Sequence, residues 1–382
     1  MKKIVLVCNT SWGMMMFRSG LMKRLVQEGY DVSVLAPYDK HSQEIEALGC
    51  HYINVPMDNK GSNIFKDLFL IRRLYKHYKE INPCLIFHYT IKPNIFGTLA
   101  AKYADIKSIA VITGLGYTFI NNGITSIIAK KLYKISLKHS QKVWFINYED
   151  RKKFIKERII ARDLMEIIPS EGVNMCKYAP LEKSTKDGVF RFVLIARLLW
   201  DKGVGELVKA AREIKKKYPN VEVQLVGFVD AKNPQSISKE QVDDWVSKGW
   251  IKYMGSTDDV RTFIAGADCI VLPSYREGVS MILLESASMA KPIIASNVPG
   301  CRDIVEHGSS GYLCNVMDSH DLMLKMEKML NLTETERQEM GDRGRAHIKR
   351  DFDEQIVLQR YLHTITRYMI KEGSNKFILK NS

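Results

Sequence analysis

Two kinds of apolar spacing alternate along the chain. Short continuous apolar runs suit strands buried on both faces, and apolar residues three and four apart suit helices. Ile4–Cys8 is a run of the first kind, whereas Leu21–Glu28 has helical spacing and stops at Gly29, a natural C-cap residue. Asp31–Ala36 is the next strand, ended by Pro37, and the helix Phe65–Glu80 leads through Asn82 and Pro83 to the strand Leu85–Tyr89. Parallel strands joined by helices predict an α/β doubly wound domain.

The pattern then restarts. Phe190–Ala196 reads as a strand, Val204–Lys217 as a helix and Val221–Val226 as a strand closed by Gly227. Cys269–Leu272, a helix after Gly278 and the strand Pro292–Ser296 follow. The join falls near Ile168–Tyr178, where Pro169, Ser170, Gly172 and Asn174 cluster. A chain of 382 residues suits two such domains, taken as 1–172 and 173–353. Two doubly wound domains facing one another make a cleft, with ligands at the carboxyl ends of the strands. Beyond them, Glu354–Lys371 is amphipathic through Ile356, Leu358, Tyr361, Leu362, Ile365 and Met369. It packs either back on the first domain or on the second, and Gly373–Ser382 reads as a loose tail.

Composition narrows the class. With 46% hydrophobic and 26% charged residues, the chain is that of a soluble globular protein. Its seven cysteines are scattered and never form a CxxC pair, which argues against a zinc site and a disulfide framework and for a reducing cytoplasm. The first apolar run ends at Asn9, too soon for a signal peptide, and nothing approaches the roughly 20 apolar residues of a membrane span. Any membrane contact is therefore expected to be peripheral. The net charge of +14 is uneven: residues 1–170 hold 26 Lys and Arg against 14 Asp and Glu. A basic first half attracts nucleic acid, an anionic membrane or phosphate-bearing ligands, or is simply a solvated lysine-rich surface. No helix-turn-helix spacing, zinc finger or aromatic RNA-binding motif supports nucleic acid.

The loops carry the chemistry. The one after the first strand, Asn9–Met16, has a single glycine, Gly13, and no GxGxxG; no GxxxxGK[ST] occurs either, which speaks against a nicotinamide enzyme or a P-loop ATPase. After Phe190–Ala196 come Arg197, Lys202 and Gly203, two cations and a glycine leading into a helix. Such a loop suits a diphosphate, through a forked guanidinium, an ammonium and helix N–H groups. A surface ion pair of these cations with Asp201 or Glu206 is the plain alternative. After Cys269–Leu272, Glu277 stands at a turn and Glu285 in the helix that follows, with Ile282, Leu283 and Leu284 toward the core. Two carboxylates placed so suit sugar and ribose hydroxyls; a capping acid and an exposed helical glutamate are the alternative.

These residues match a family. Glu277 and Glu285 have the EX7E spacing of retaining glycosyltransferases, within Pro273–Gly278 and followed by Lys291–Ser296. Val298–Val305, His307–Leu313, Gly255–Val260, Ile195–Gly203 and Gly172–Asn174 continue the match in order. Over nearly its whole length the chain resembles glycosyltransferase family four, whose fold is GT-B. Phe17-Arg18, Thr90–Gly97 and Ile112–Gly116 resemble a branch that builds bacterial O-antigens, capsules and lipid-linked oligosaccharides.

The resemblance implies roles for particular residues. Arg197 and Lys202 neutralise the leaving diphosphate of a nucleotide sugar, as catalytic groups. Glu285 holds the ribose hydroxyls, and Glu277 contacts the transferred sugar as a catalytic residue without being a nucleophile. The donor site also takes in Gly278, Val279, Ser280, Met281, Ile282 and Gly13. His88 corresponds to the family's active-site histidine, or else is a buried, satisfied one. The donor is expected to be UDP-linked, with N-acetylhexosamine as the sugar, and no cofactor or metal is expected. The acceptor is expected to be a saccharide on undecaprenyl diphosphate at the cytoplasmic face of the inner membrane. Arg18 is a candidate acceptor-phosphate contact. Ile124, Ile128, Leu132 and Ile135 form a helical apolar stripe flanked by Lys130, Lys131, Lys134, Lys138 and Lys142, with Arg151–Lys153 beyond. This face fits an anionic membrane, or a core-packing helix with solvated lysines. Three positions depart from the family pattern: Ser280 for Gly or Pro, Ala290 for Gly, and Glu171 for a small residue. A nucleotide-sugar epimerase or hydrolase, or a non-catalytic sugar-binding partner, would be the competing functions.

Overall fold

The computed structural model describes residues 2–57, 64–115, 124–183, 187–229, 233 and 235–378. They divide into two compact units, Met1–Glu171 with Glu354–Ser382, and Gly172–Asp353. Gly172, expected to close the first domain, opens the second unit instead. Among the described residues, no helix is long and apolar enough to cross a membrane.

In chain order the first unit runs β1 (Lys3–Val7), α1 (Ser11–Gln27), β2 (Asp31–Ala36), α2 (Ser42–Ala47), β3 (His51–Asn54) and α3 (Ile64–Ile81). Then come β4 (Leu85–Tyr89), α4 (Thr98–Ala104), β5 (Ser108–Ile112), α5 (Ile124–Leu137), β6 (Lys142–Phe145), α6 (Tyr148–Lys156) and β7 (Met165–Ile167). The strands form one parallel sheet in the order β3-β2-β1-β4-β5-β6-β7, so the winding reverses between β1 and β4. β1 and β4 are almost wholly apolar because helices cover both faces of the sheet. Right-handed crossovers put α3, α4, α5 and α6 on one face and α1 and α2 on the other.

The second unit runs β8 (Phe190–Ile195), α7 (Val204–Lys217), β9 (Val221–Val226), α8 (Lys239–Ser247), β10 (Lys252–Tyr253), α9 (Arg261–Gly266) and β11 (Cys269–Leu272). It continues through α10 (Met281–Ser288), β12 (Ile293–Ser296), β13 (Gly311–Cys314), α11 (Ser319–Leu330) and α12 (Glu334–Asp351). Its parallel sheet has the order β10-β9-β8-β11-β12-β13, reversing between β8 and β11.

Helix α13 (Glu354–Ile378) returns to the first unit. The Tyr361 ring lies 4.9 Å from both Phe87 and Trp144, and its hydroxyl accepts a hydrogen bond from that of Tyr89 at 3.0 Å. Lys107 adds a bond to the Tyr368 carbonyl, 3.3 Å. The expected tail from Gly373 is helical as far as Ile378, and residues 379–382 lie outside those described.

One expected loop is a helix. α1 starts at Ser11, because Thr10 adopts extended backbone and its hydroxyl accepts the Gly13 N–H at 3.0 Å. Apolar periodicity missed this start, since the helix opens with Trp12, Gly13 and three methionines that show no polar face.

Candidate functional site

In an open parallel sheet, ligands bind at the carboxyl ends of the strands where the winding reverses. In the second unit that point lies between β8 and β11, and the loops after these two strands are the ones that carry Arg197, Lys202 and Glu277. They are joined backbone to backbone. The Asp201 carbonyl accepts the Tyr275 N–H at 2.8 Å and the Ser274 hydroxyl at 3.2 Å. Gly203 makes the fit possible: its φ is +72°, and a Cβ there would lie 2.0 Å from the Pro273 carbonyl oxygen. The same glycine starts α7.

This closure brings Lys202 Nζ within 2.6 Å of Glu277 Oε1, both side chains largely buried. The pairing of Lys202 with Asp201 or Glu206 is therefore replaced by one with the site's own carboxylate. Glu206 is engaged by the Tyr275 hydroxyl at 2.8 Å. Arg197 is exposed and, among the described residues, makes no ion pair, so its forked donors face solvent. A guanidinium and an ammonium on one loop, with an acid on the neighbouring loop, suit an anion flanked by hydroxyls.

The turn at Gly278 is held from the other side. Gly300 has φ +76°, and a Cβ on it would lie 2.3 Å from the Gly278 carbonyl oxygen; the Ser280 N–H bonds the Gly300 carbonyl at 3.4 Å. Ser280 is the N-cap of α10, with extended backbone and no side-chain bond to the first turn. The first-turn N–H groups of Met281 and Ile282 thus point out of the helix start. Leu283 and Leu284 are buried, as expected, but Ile282 is only half-buried against the core. Val279 packs beside it in the same way.

Glu285 lies one turn into α10. Burial lifts its carboxyl to about 7, opposed by a hydrogen bond from Tyr178 and by the charge of Lys177. It is neither exposed nor a plain surface acid. Tyr178 was not singled out by sequence. It reaches Glu285 because Asn174 Oδ1 turns the chain by accepting the N–H groups of Cys176 and Lys177, and because the Ser288 hydroxyl and Arg345 bond the Tyr178 carbonyl. The only sequence signal is an Asx-turn after Gly172-Val173. Lys291 is also structural: its buried ammonium bonds the Ala265 and Ala267 carbonyls at 2.7 and 3.0 Å, closing the end of α9.

The candidates from the first unit fare differently. His88 is fully buried, with Nε2 2.9 Å from the Tyr78 hydroxyl and Nδ1 3.3 Å from that of Thr98. Burial pulls it down to about 3, and Gly97 leaves no room above the ring. A ring so enclosed fits the second of the two expectations, a buried, satisfied histidine. Gly13 sits in the first turn of α1, its N–H taken by Thr10, so it offers no free loop amide. Arg18 is buried and paired with Glu171, lies 3.9 Å from the Tyr89 ring centre and donates to the Gly13 carbonyl at 3.3 Å. Burial lifts the Glu171 carboxyl above the usual range, and Arg18 opposes that. The unusual Glu171 is thus the counterion of Arg18, whose guanidinium is engaged inside the first unit rather than presented at its surface.

On α5, Ser126, Ala129, Tyr133 and Leu137 are buried, and Leu132 packs on the core. Ile128 and Ile135 are exposed beside Lys131, Lys134 and Lys138, while Lys130 pairs with Glu157 at 3.0 Å. The expected stripe is therefore split. Gly116 lies outside the described residues, as does the side chain of Ile124.

Residues 3–147 match the model of the family described as Glycosyl transferase 4-like, and residues 181–347 that of Glycosyl transferases group 1. The chain is 30% identical to the N,N'-diacetylbacillosaminyl-diphospho-undecaprenol alpha-1,3-N-acetylgalactosaminyltransferase of Campylobacter jejuni, over 92% of this chain and 95% of the relative. It is 25% identical to the UDP-Gal:alpha-D-GlcNAc-diphosphoundecaprenol alpha-1,3-galactosyltransferase of Escherichia coli, over 69% and 70% of the two chains. Its fold matches the crystal structure of a glycosyltransferase from Rickettsia africae with a TM-score of 0.82 at 18% identity, covering 96% and 98%. With the paired parallel sheets and the loops at their reversal, the chain belongs to the family-four glycosyltransferases of GT-B fold.

Proposed function

We propose that the protein moves an N-acetylhexosamine, such as GalNAc, from UDP to a saccharide on undecaprenyl diphosphate, with retention of configuration, in bacterial surface-glycan or glycoprotein-glycan synthesis. The observation that carries this reading is the Lys202–Glu277 pair across the loops after β8 and β11, with Arg197 on the first of these loops and Glu285 in the helix that follows the second. The name of the Escherichia coli relative supports a UDP donor, and the names of both relatives a diphospho-undecaprenol acceptor.

In this reaction the bond from C1 of the sugar to the diphosphate breaks and one to the acceptor hydroxyl forms on the same face. The acceptor's proton passes to the departing diphosphate oxygen. Arg197 and Lys202 stabilise the charge that grows on that oxygen, a role that needs no metal. Lys202 starts the cycle bound to Glu277, so an incoming diphosphate competes for the ammonium and frees the Glu277 carboxylate for sugar hydroxyls. Glu285 accepts the ribose hydroxyls. Glu277 stays a hydrogen-bonding group and forms no covalent intermediate, unlike the nucleophile of a retaining glycosidase. Such an acceptor places the enzyme at the cytoplasmic face of the inner membrane, and the exposed lysines of α5 suit an anionic surface there.

The test is incubation with UDP-GalNAc, UDP-GlcNAc, UDP-galactose and GDP-mannose against a set of diphospholipid-linked saccharides. Product mass identifies the sugar and NMR its anomeric configuration. Transfer from UDP-N-acetylhexosamine with retention is expected, and both Arg197→Ala and Glu285→Ala abolish it with the fold intact. Donor turnover without any acceptor product would mark an epimerase or hydrolase instead, and absence of nucleotide binding a non-catalytic partner.

A further inference from the structure

The second unit has a cavity at the edge of its sheet opposite to the loops that carry Arg197 and Glu277. Its volume is about 830 Å³, within the range of small-molecule sites, and its lining residues all belong to Gly172–Asp353. Phe190 opens β8, Asp268 precedes β11 and Pro292 precedes β12, so three neighbouring strands start at this cavity and run away from it. β8 alone covers six residues, roughly 20 Å, which keeps the cavity apart from the loops at the other edge.

Two cations line the cavity without a carboxylate partner among the described residues, Lys291 and Arg337. Lys291 spends two of its three N–H donors on the Ala265 and Ala267 carbonyls, which leaves one for a ligand. The Arg337 guanidinium lies 5.0 Å from the Phe190 ring centre and gives Nη1 to the Leu332 carbonyl. Asp268, an acid in the same lining, is already neutralised. Lys183 Nζ bonds both its oxygens at 2.8 and 2.7 Å, and Oδ2 accepts the Arg191 N–H at 2.7 Å. Glu182 and Glu334 are exposed. Leu181, Phe190, Met289 and Pro292 give the cavity an apolar wall beside these charges. Burial pulls the Lys291 ammonium below the usual lysine range, so its two neutral carbonyls compensate it poorly.

We infer that this cavity binds a small organic phosphate, with Lys291 and Arg337 on the phosphate and the apolar wall against its carbon skeleton, and that its occupation is felt at Glu285. A forked guanidinium and a free ammonium donor match phosphate oxygens, and a hydrogen bond between charged groups is roughly twice as strong as one to a neutral carbonyl. The connection to Glu285 runs through α10. The Lys291 N–H bonds the Ser286 carbonyl at 3.0 Å, and the Met289 N–H bonds that of Glu285 at 3.0 Å. The last turn of this helix thus reaches from the acid to the cavity. The Lys291 side chain ties the same turn to the end of α9, and a phosphate that draws the ammonium off the Ala265 and Ala267 carbonyls loosens that tie. Only the effect on UDP rests on the function proposed above; the cavity and its ligand do not.

The test is calorimetry on the full chain with glucose 1-phosphate, and with glucose and inorganic phosphate as comparators, each titrated with and without saturating UDP. One glucose 1-phosphate is expected to bind per chain with UDP present, more than about tenfold tighter than either comparator. Arg337→Gln and Lys291→Gln each weaken it by more than about tenfold, the loss of a charge-assisted hydrogen bond. Arg337→Gln keeps the parental melting temperature and UDP affinity, so its effect is not one of unfolding. Saturating glucose 1-phosphate changes the UDP dissociation constant by about fivefold or more, UDP changes that of glucose 1-phosphate by the same factor, and Arg337→Gln removes the change. Absence of glucose 1-phosphate binding overturns the inference, as does its displacement by UDP or equal binding in both variants. So does inorganic phosphate that binds as tightly, or a UDP affinity indifferent to the filled cavity. If UDP itself fails to bind while glucose 1-phosphate binds and Arg337→Gln loses it, the proposed reaction falls and the phosphate site stands.

Discussion

Glu285 shows what a single buried acid costs and why it is kept. In the folded chain its carboxyl holds a proton up to about pH 7, whereas the unfolded chain releases it in the ordinary carboxylate range. Between those values the native state binds the extra proton, so this group's contribution makes stability fall as pH rises. Glu285→Gln should therefore raise the melting temperature at pH 8, by roughly 2 kcal/mol in stability, with the gain shrinking toward pH 5. The same variant should lose UDP binding by calorimetry. An unchanged melting curve at both pH values would exclude the burial penalty. Ala290 is a second local cost: a non-glycine residue at φ +56° where the family pattern has glycine. Ala290→Gly should stabilise by about 1 kcal/mol, read from denaturant unfolding, because the left-handed backbone disfavours a Cβ. At this scale the sequence was informative about acids and cations but not about their partners. Lys202 and Glu277 could each be picked out as candidates, yet their pairing depends on Gly203 and Pro273 meeting across two strands. Arg18 and His88 carried motif signals and turned out to be enclosed, since burial is set by the elements packed over a residue.

At the level of elements, the strands were the easiest to foresee. Asp31–Ala36, Leu85–Tyr89, Val221–Val226 and Cys269–Leu272 are strands with the expected bounds, because buried parallel strands are continuous apolar runs. Helix starts were harder: that of α1 lies well before the expected Leu21, in a stretch whose helical state rests on the Thr10 cap. Loops were legible as chemistry but not as shape. Gly203 illustrates the difference, for it reads as a phosphate-loop glycine and serves to let the β8 and β11 loops touch. Gly203→Ala should destabilise the protein by about 2–3 kcal/mol, since it combines a left-handed backbone with a collision against a carbonyl. UDP affinity should fall with it. A variant that keeps parental affinity and melting temperature would show that the two loops are free to separate.

The first unit is completed by a helix distant in sequence from its sheet. Tyr361 fills the space beside Phe87 and Trp144 and meets Tyr89, itself under Arg18. Tyr361→Ala should cost about 3–5 kcal/mol, seen as an earlier unfolding transition in Trp144 fluorescence. If that transition does not move, α13 is an ornament on a self-sufficient first unit. Sequence pattern allowed either destination for this helix, because amphipathic spacing tells which side chains seek a partner and not which sheet supplies it. The arrangement also sets a schedule during synthesis on the ribosome. Residues 1–171 emerge first, yet their aromatic face waits for Tyr361, while Gly172–Asp353 is a closed stretch of chain that can fold as soon as it clears the exit tunnel. The half that is translated second is thus the one able to finish first. The earlier half stays open to chaperones, and to misfolding, until the final helix is delivered.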